Sequence, residues 1–305
     1  MKKLIPFIFL ALLLGAVSNS CNNKNDSANE ESNDEVSTSS KSSYSALEDS
    51  ISVAYGDVIG FSLYASLQDS SVNAYGINKE NVLETVETAL KKDTVNLDRN
   101  NQHLFGLGMQ LYMTITKLED VGISTNAKLA FNQIKKAVDG IDDIDFNNTT
   151  QAQEKFKNLQ DEYQRLMDKA LKDIGEKNIV KGKNYIEEQM KNDKDFVKTA
   201  SGLCYKVIEE GNGTNFNEND VVDVIYVGTH INGKEFDNSK GKIVPFPLQN
   251  VVPGFREMIT LMKPGSKVKV IIPSELAYGE TGAPMGGIGP NETLVFEITT
   301  MGVHK

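Results

Sequence analysis

Lys267-Val268-Lys269-Val270-Ile271-Ile272 and Leu294-Val295-Phe296-Glu297-Ile298-Thr299 are the two stretches on which the reading of this chain turns. In the first, Val268, Val270 and Ile272 share one side of an extended chain and Lys267 and Lys269 the other. In the second, Leu294, Phe296 and Ile298 oppose Glu297 and Thr299. A period of two is that of half-buried antiparallel strands. Upstream, Val222, Val224 and Tyr226 repeat it, and Asn232-Gly233 marks a hairpin turn. One short helix is predicted between the strands, from Pro253 to Met262. Phe255, Met258, Ile259 and Met262 lie on one of its faces, and Lys263-Pro264-Gly265 ends it. Several strands and one helix covering one sheet face predict an α+β domain over residues 201–305.

Before Ser201 the period changes. From Ala46 to about Lys194 there is no proline, and apolar residues recur at helical spacing. Val82, Leu83, Val86, Ala89 and Leu90 form one stripe; Ala130, Phe131, Ile134, Ala137, Val138 and Ile141 form another. A shift of 48 positions lays the first segment on the second: Gly60 falls on Gly108, Leu63 on Leu111, Tyr64 on Tyr112, Asn78 on Asn126 and Val86 on Ile134. The pattern is that of two related helical hairpins in tandem, or of chance likeness between amphipathic helices. Phe156, Leu159, Tyr163, Leu166 and Ala170 then alternate in threes and fours, the seam of a long helix that needs a partner, in this chain or in a second copy. A further helical segment, around Ile179 to Met190, leads toward Ser201. Residues 46–200 hold no clustered histidines, phosphate-cradling glycines or convergent acids, and read as scaffold or interaction surface.

The chain opens with Met1-Lys2-Lys3 and an apolar run, Leu4 to Val17, that is too short to span a bilayer, which needs about 20 residues. Residues 1–20 read as an export signal. Ser18-Asn19-Ser20-Cys21 resembles a bacterial lipoprotein box, which makes Cys21 the expected lipidation site. Residues 21–45 are Ser, Asn, Glu and Asp with almost no large apolar side chain. They cannot offset their ordering entropy and read as a disordered tether. The expectation is an exported, membrane-anchored lipoprotein, on the outer membrane and facing the periplasm or the cell surface.

The 305 residues fit two domains. A formal charge of −10 disfavours phosphate backbones, so nucleic acid is not an expected partner. The two cysteines form no CxxC pair and His103, His230 and His304 lack ligand spacing, so no metal or other cofactor is expected.

In the C-terminal domain, Ser201-Gly202-Leu203, Tyr226-Val227-Gly228, Gly233-Lys234-Glu235-Phe236-Asp237-Asn238-Ser239, Pro245-Phe246, Val251-Val252-Pro253-Gly254-Phe255, Ala277-Tyr278-Gly279 and Pro290-Asn291-Glu292-Thr293-Leu294-Val295-Phe296 together resemble the FKBP family of peptidyl-prolyl cis-trans isomerases (rotamases). The resemblance covers essentially all of residues 201–302. With its helical region and connecting helix, the whole chain resembles the exported macrophage-infectivity-potentiator (Mip) type, in which the N-terminal helices interlock two subunits. It implies an FKBP-like antiparallel sheet wrapped on one short helix, a homodimer through the helical domain, proline-containing unfolded or partly folded polypeptides as substrates, and macrolide ligands as further occupants.

The resemblance also implies roles. Tyr226, Phe236, Phe246, Val251, Val252 and Phe296 would wall a dry pocket, with Phe255 as its floor. Tyr278 would donate its hydroxyl to a substrate carbonyl. Asp237, the one charge expected inside, would accept from the Tyr226 hydroxyl and face the twisting amide. Residues 280–290 would form a flap, with Ile288 reaching over the pocket. Phe255 stands where the family usually has Trp, a smaller floor that implies weaker ligand binding. Gly289 stands where Pro is typical, which implies a looser flap. Each aromatic residue has a plainer reading as core, Asp237 as a turn cap and Tyr278 as a surface loop residue. Cys204 reads as a structural or half-exposed thiol. The alternative to an isomerase is a holdase chaperone or assembly module that binds through the same pocket without turnover.

Overall fold

The computed structural model describes residues 45–68, 72, 74–141 and 148–304. The expected export signal, the Cys21 lipidation site and the tether as far as residue 44 lie outside the described residues. Ser45 starts α1, Ala46–Leu67, with a capping box: its hydroxyl accepts the Glu48 N–H, and the Glu48 carboxylate accepts the Ser45 N–H. There follow α2 (Lys79–Leu90), α3 (Gln102–Asp120), α4 (Ala127–Asp139) and α5 (Thr149–Asn192). Asn78 and Asn126, which coincide at the 48-residue shift, do the same work at the starts of α2 and α4. Each side chain accepts the backbone N–H three residues on.

Most of the two predicted stripes is buried, while Leu83, Phe131, Ala137 and Ile141 are partly exposed. Val82, Val86, Ala89 and Leu90 share a core with Ala130, Ile134 and Val138 and with Tyr55, Ile59, Leu104 and Leu111 of α1 and α3. The seam of α5 is satisfied within the chain: Phe156 stacks on Phe61 of α1 at 5.5 Å, and Tyr163 lies 6.0 Å from Tyr55. The two helical segments expected here are one helix of 44 residues. Its interior glycines cost only about 1 kcal/mol each, too little to interrupt a helix that packs along its length. Among the described residues no helix is long and apolar enough to cross a membrane.

The chain divides into two compact units inside α5: residues up to Glu119 with Ile123–Ala170, and Asp120–Gly122 with Leu171–Lys305. In the second unit the strands are β1 (Val197–Lys198), β2 (Cys204–Glu209), β3 (Val221–His230), β4 (Glu235–Asn238), β5 (Val244–Pro247), β6 (Lys267–Ile272) and β7 (Leu294–Val303), with α6 (Pro253–Leu261) between β5 and β6. All the pairings are antiparallel, in the order β1-β2-β6-β7-β3-β4, with β5 also pairing β3. Phe255, Met258 and Ile259 of α6 pack on Val222, Val224, Val268, Val270 and Ile298, the side chains that alternation assigned to the core.

The expectation of half-buried strands needs correction. Ile271 and Val295, on the opposite face, are 0% and 5% exposed. They pack with Ile186 of α5, Phe196 and Cys204, so the end of the long helix covers this second face. Gly182 permits the approach, since a Cβ there would fall 2.1 Å from Thr293 Oγ1. Cys204 is fully buried rather than half-exposed, 3.9 Å from Met190 Sδ, and burial pushes its thiol above the usual range.

Candidate active site

Phe255 sits in the first turn of α6, 4% exposed, with Pro253 at the helix start, where a missing N–H costs nothing. Three rings meet it edge to face: Tyr226 at 6.4 Å and 87°, Phe246 at 5.6 Å and 81°, and Phe296 at 5.4 Å and 81°. Phe236 joins through Phe296 at 5.5 Å and 87°, and Tyr226 touches Phe246 at 5.4 Å. Such contacts set positive ring edges on negative faces and contribute about 0.5–1.5 kcal/mol per pair beyond burial.

The sheet register assembles this cluster. Tyr226 pairs with Ile298 and Gly228 with Phe296, so the two rings rise from neighbouring strands, β3 and β7. Gly228, the last residue of the Tyr226-Val227-Gly228 stretch, has a packing role here that alternation alone did not assign. A Cβ there would lie 2.8 Å from both the Phe236 and Phe296 rings.

Val251 and Val252 are half-buried against the same cluster, as are Phe236 and Phe246, while Ile288 is 3% exposed within it. The floor is therefore buried and the rim partly open. The covering loop carries a backbone pairing of its own. Ala283 and Ile288 exchange backbone hydrogen bonds of 2.9 and 3.1 Å, which close residues 283–288 into a small hairpin.

Tyr226 donates its hydroxyl to Asp237 Oδ2 at 2.8 Å. Its backbone is held on both sides by Ser239, whose hydroxyl accepts the Tyr226 N–H at 3.2 Å and whose N–H donates to the Tyr226 carbonyl at 3.0 Å. Asp237 itself is exposed, not inside as expected. It lies on the short strand β4, paired with Gly228, and contact with water there spares the carboxylate the desolvation cost of a buried charge. Burial, then the hydrogen bond and charge of Asp237, push the Tyr226 phenol well above its ordinary range. Burial and the same charge raise Tyr278. Both phenols are thus neutral donors at neutral pH. Tyr278 is 40% exposed, and its hydroxyl makes no hydrogen bond to another described residue.

A second polar pair lies behind the aromatic wall and was not anticipated. His230 Nδ1 donates to Glu292 Oε1 at 2.7 Å, with the His230 ring 5.2 Å from Phe236. The two residues are 62 positions apart, so only the fold brings them together.

Comparison with known proteins bears on this geometry. A family profile described as FKBP-type peptidyl-prolyl cis-trans isomerase matches residues 213–301. One described as the domain amino terminal to FKBP-type peptidyl-prolyl isomerase matches residues 100–207. The FKBP-type peptidyl-prolyl cis-trans isomerase FkpA of Escherichia coli strain K12 is 35% identical over 215 residues, 68% of this chain and 76% of that protein. The peptidyl-prolyl cis-trans isomerase Mip of Coxiella burnetii is 48% identical over 112 residues, 36% of this chain and 48% of that one. The outer membrane protein MIP of Legionella longbeachae is 40% identical over 132 residues, 43% of this chain and 56% of that one. On the extent of the likeness to FkpA, which takes in helical and sheet regions alike, the chain belongs to the FKBP-type peptidyl-prolyl cis-trans isomerases.

Proposed function

We propose that the ring cluster around Phe255 is where this isomerase turns an X-Pro bond. Rotation about the amide crosses a barrier of about 18–20 kcal/mol, because it breaks resonance. No bond to carbon is broken, so neither a nucleophile nor a metal is needed. The planar amide is strongly dipolar and the twisted amide less so. A site walled by Tyr226, Phe236, Phe246, Val251, Val252 and Phe296 and floored by Phe255 therefore favours the twisted form, which is catalysis by differential binding, while Ile288 covers the bound substrate. Tyr278, whose hydroxyl has no hydrogen-bond partner among the described residues, donates to a substrate carbonyl. Asp237, oriented by the Tyr226 hydroxyl, presents its charge to the rotating amide. The observation that carries this reading is the mutual packing of five rings with one fixed tyrosine–carboxylate hydrogen bond at their edge.

A protease-coupled assay on a proline-containing tetrapeptide tests it with the protein from Ala46 onward. Turnover above the uncatalysed rate is expected, and its absence would leave only a binding module. A macrolide that fills the same rings should inhibit turnover competitively.

The reading extends to place and assembly. We infer an exported protein held on the outer membrane through lipid on Cys21. The apolar run and polar tether support it, as does the name of the Legionella longbeachae relative, an outer membrane protein. Cys21→Ser should release the protein from membranes; retention there counts against the anchor. A homodimer through the helical domain is supported by the resemblance to the Mip type. Because the α5 seam is already filled by α1, such a dimer must exchange this seam between copies or use another surface. Sedimentation of the protein from Ala46 decides, and a clean monomer removes the dimer.

A further inference from the structure

One carboxylate beside the site uses both of its oxygens. Glu292, in the segment leading into β7, accepts from His230 Nδ1 through Oε1 at 2.7 Å and from the Gly289 backbone N–H through Oε2 at 2.8 Å. His230 is 8% exposed at the end of β3, with its ring 5.2 Å from Phe236 and tilted 67° to it. Gly289 directly follows Ile288, the buried residue of the 283–288 hairpin. One side chain thus joins the aromatic wall, through His230 and Phe236, to the cover, through Gly289 and Ile288. The leg of the cover is held from outside as well, where Asn178 Nδ2 of α5 donates to the Pro290 carbonyl at 2.9 Å.

We propose that Glu292 is a positioning residue of the isomerase site, a tie that seats Ile288 over the rings and sets how tightly the prolyl ring is gripped. The inference rests on the reading of the ring cluster as the isomerase site. Hydrogen bonds to an ionised carboxylate are shorter and about twice as strong as neutral ones, and this side chain is only 18% exposed, so water competes weakly. Glycine at 289 supplies an N–H that an imino acid would lack. Loss of the carboxylate leaves the Gly289 N–H and the buried His230 ring without their acceptor and frees the cover. Ile288 contacts the substrate before and during rotation, whereas the Tyr226–Asp237 pair stays intact. The change therefore falls on KM more than on kcat.

The test compares the full chain with its Glu292→Ala and Glu292→Gln variants, reading kcat and KM on a proline tetrapeptide and hydrogen exchange at the amides of Ile288 and Gly289. Glu292→Ala is expected to raise KM about tenfold, to leave kcat within about twofold and to speed exchange at both amides. Glu292→Gln keeps an oxygen for the Gly289 N–H and should restore most of both effects. Unchanged KM and exchange in Glu292→Ala overturn the proposal. So does a loss of activity that glutamine fails to rescue while exchange stays normal. Should Glu292→Ala lose its fold, Glu292→Gln decides: wild-type KM with wild-type protection of Gly289 supports the tie, and a raised KM with that protection intact refutes it. Wild-type protein without turnover sinks the isomerase-site reading and this role with it, whereas exchange at Gly289 reports the tie itself.

Discussion

Tyr55 in the helical unit and Tyr226 in the sheet unit are alike in most respects. They are 3% and 9% exposed, each lies against other rings, and burial pushes both phenols above the ordinary range. They differ in what the hydroxyl meets. That of Tyr55 is enclosed with no hydrogen-bond partner among the described residues. That of Tyr226 donates to a carboxylate standing in water. Tyr163, against Tyr55, also packs with the stacked rings of Phe61 and Phe156; these rings close helices on one another, and the result is scaffold. Around Tyr226, Phe236, Phe246, Val251 and Val252 stay half-buried. Aromatic packing alone does not make a site. A site needs an open side and a polar group whose direction is already fixed.

Phe296→Ala should break this comparison most strongly. The ring links Phe236 to Phe255, and its loss is expected to cost about 3 kcal/mol of stability and more than tenfold in turnover of the folded protein. Denaturant unfolding beside the peptide assay measures both. Phe156→Ala, in the helical unit, should cost a similar amount of stability yet leave turnover within about twofold. Equal losses of turnover in the two variants would erase the distinction between site and scaffold.

Asp237→Ala comes next. Turnover is expected to fall roughly tenfold, about 1.4 kcal/mol of barrier. Stability should drop by about 1 kcal/mol as the Tyr226 hydroxyl loses its acceptor. Full activity in this variant would reduce the tyrosine–carboxylate pair to a structural contact.

Tyr55→Phe should have the smallest effect. It removes a buried hydroxyl that has no hydrogen-bond partner among the described residues, so thermal unfolding should show stability unchanged or higher by up to about 1 kcal/mol. The phenol's folded pKa is raised, so its contribution is fully present below about pH 10 and is lost as pH climbs beyond that value. The variant should therefore lose stability less steeply above pH 10 than the wild type, as unfolding in alkaline buffers would reveal. A marked loss at neutral pH would mean that the hydroxyl has a partner after all.

The membership of the ring cluster was more legible than its construction. Tyr226, Phe236, Phe246, Phe255 and Phe296 could be named from the order of their motifs, and the structure brings them into one cluster. The Tyr226–Asp237 hydrogen bond was also expected, although the exposure of Asp237 was not. The packing role of Gly228 was illegible because it lies in a side chain the residue lacks: only the approach of two rings gives that absence meaning. The role of Glu292 was illegible for a different reason, since its partners lie 62 residues before it and on a backbone N–H.

Alternation by itself determined which faces of β3, β6 and β7 pack on α6, because a strand's side chains point up and down by geometry and no other arrangement hides Val222, Val268 and Ile298 together. Helical spacing likewise determined the stripes of α2 and α4. Only the tertiary structure decided that Ile271 and Val295 are buried as well, that α5 runs unbroken onto the second face of the sheet, and that the cover over the rings is tied down. The physical reason is range. Local periodicity reports which side chains avoid water, whereas the element that shelters them, and the polar groups that meet across it, are chosen by contacts between segments far apart in the chain.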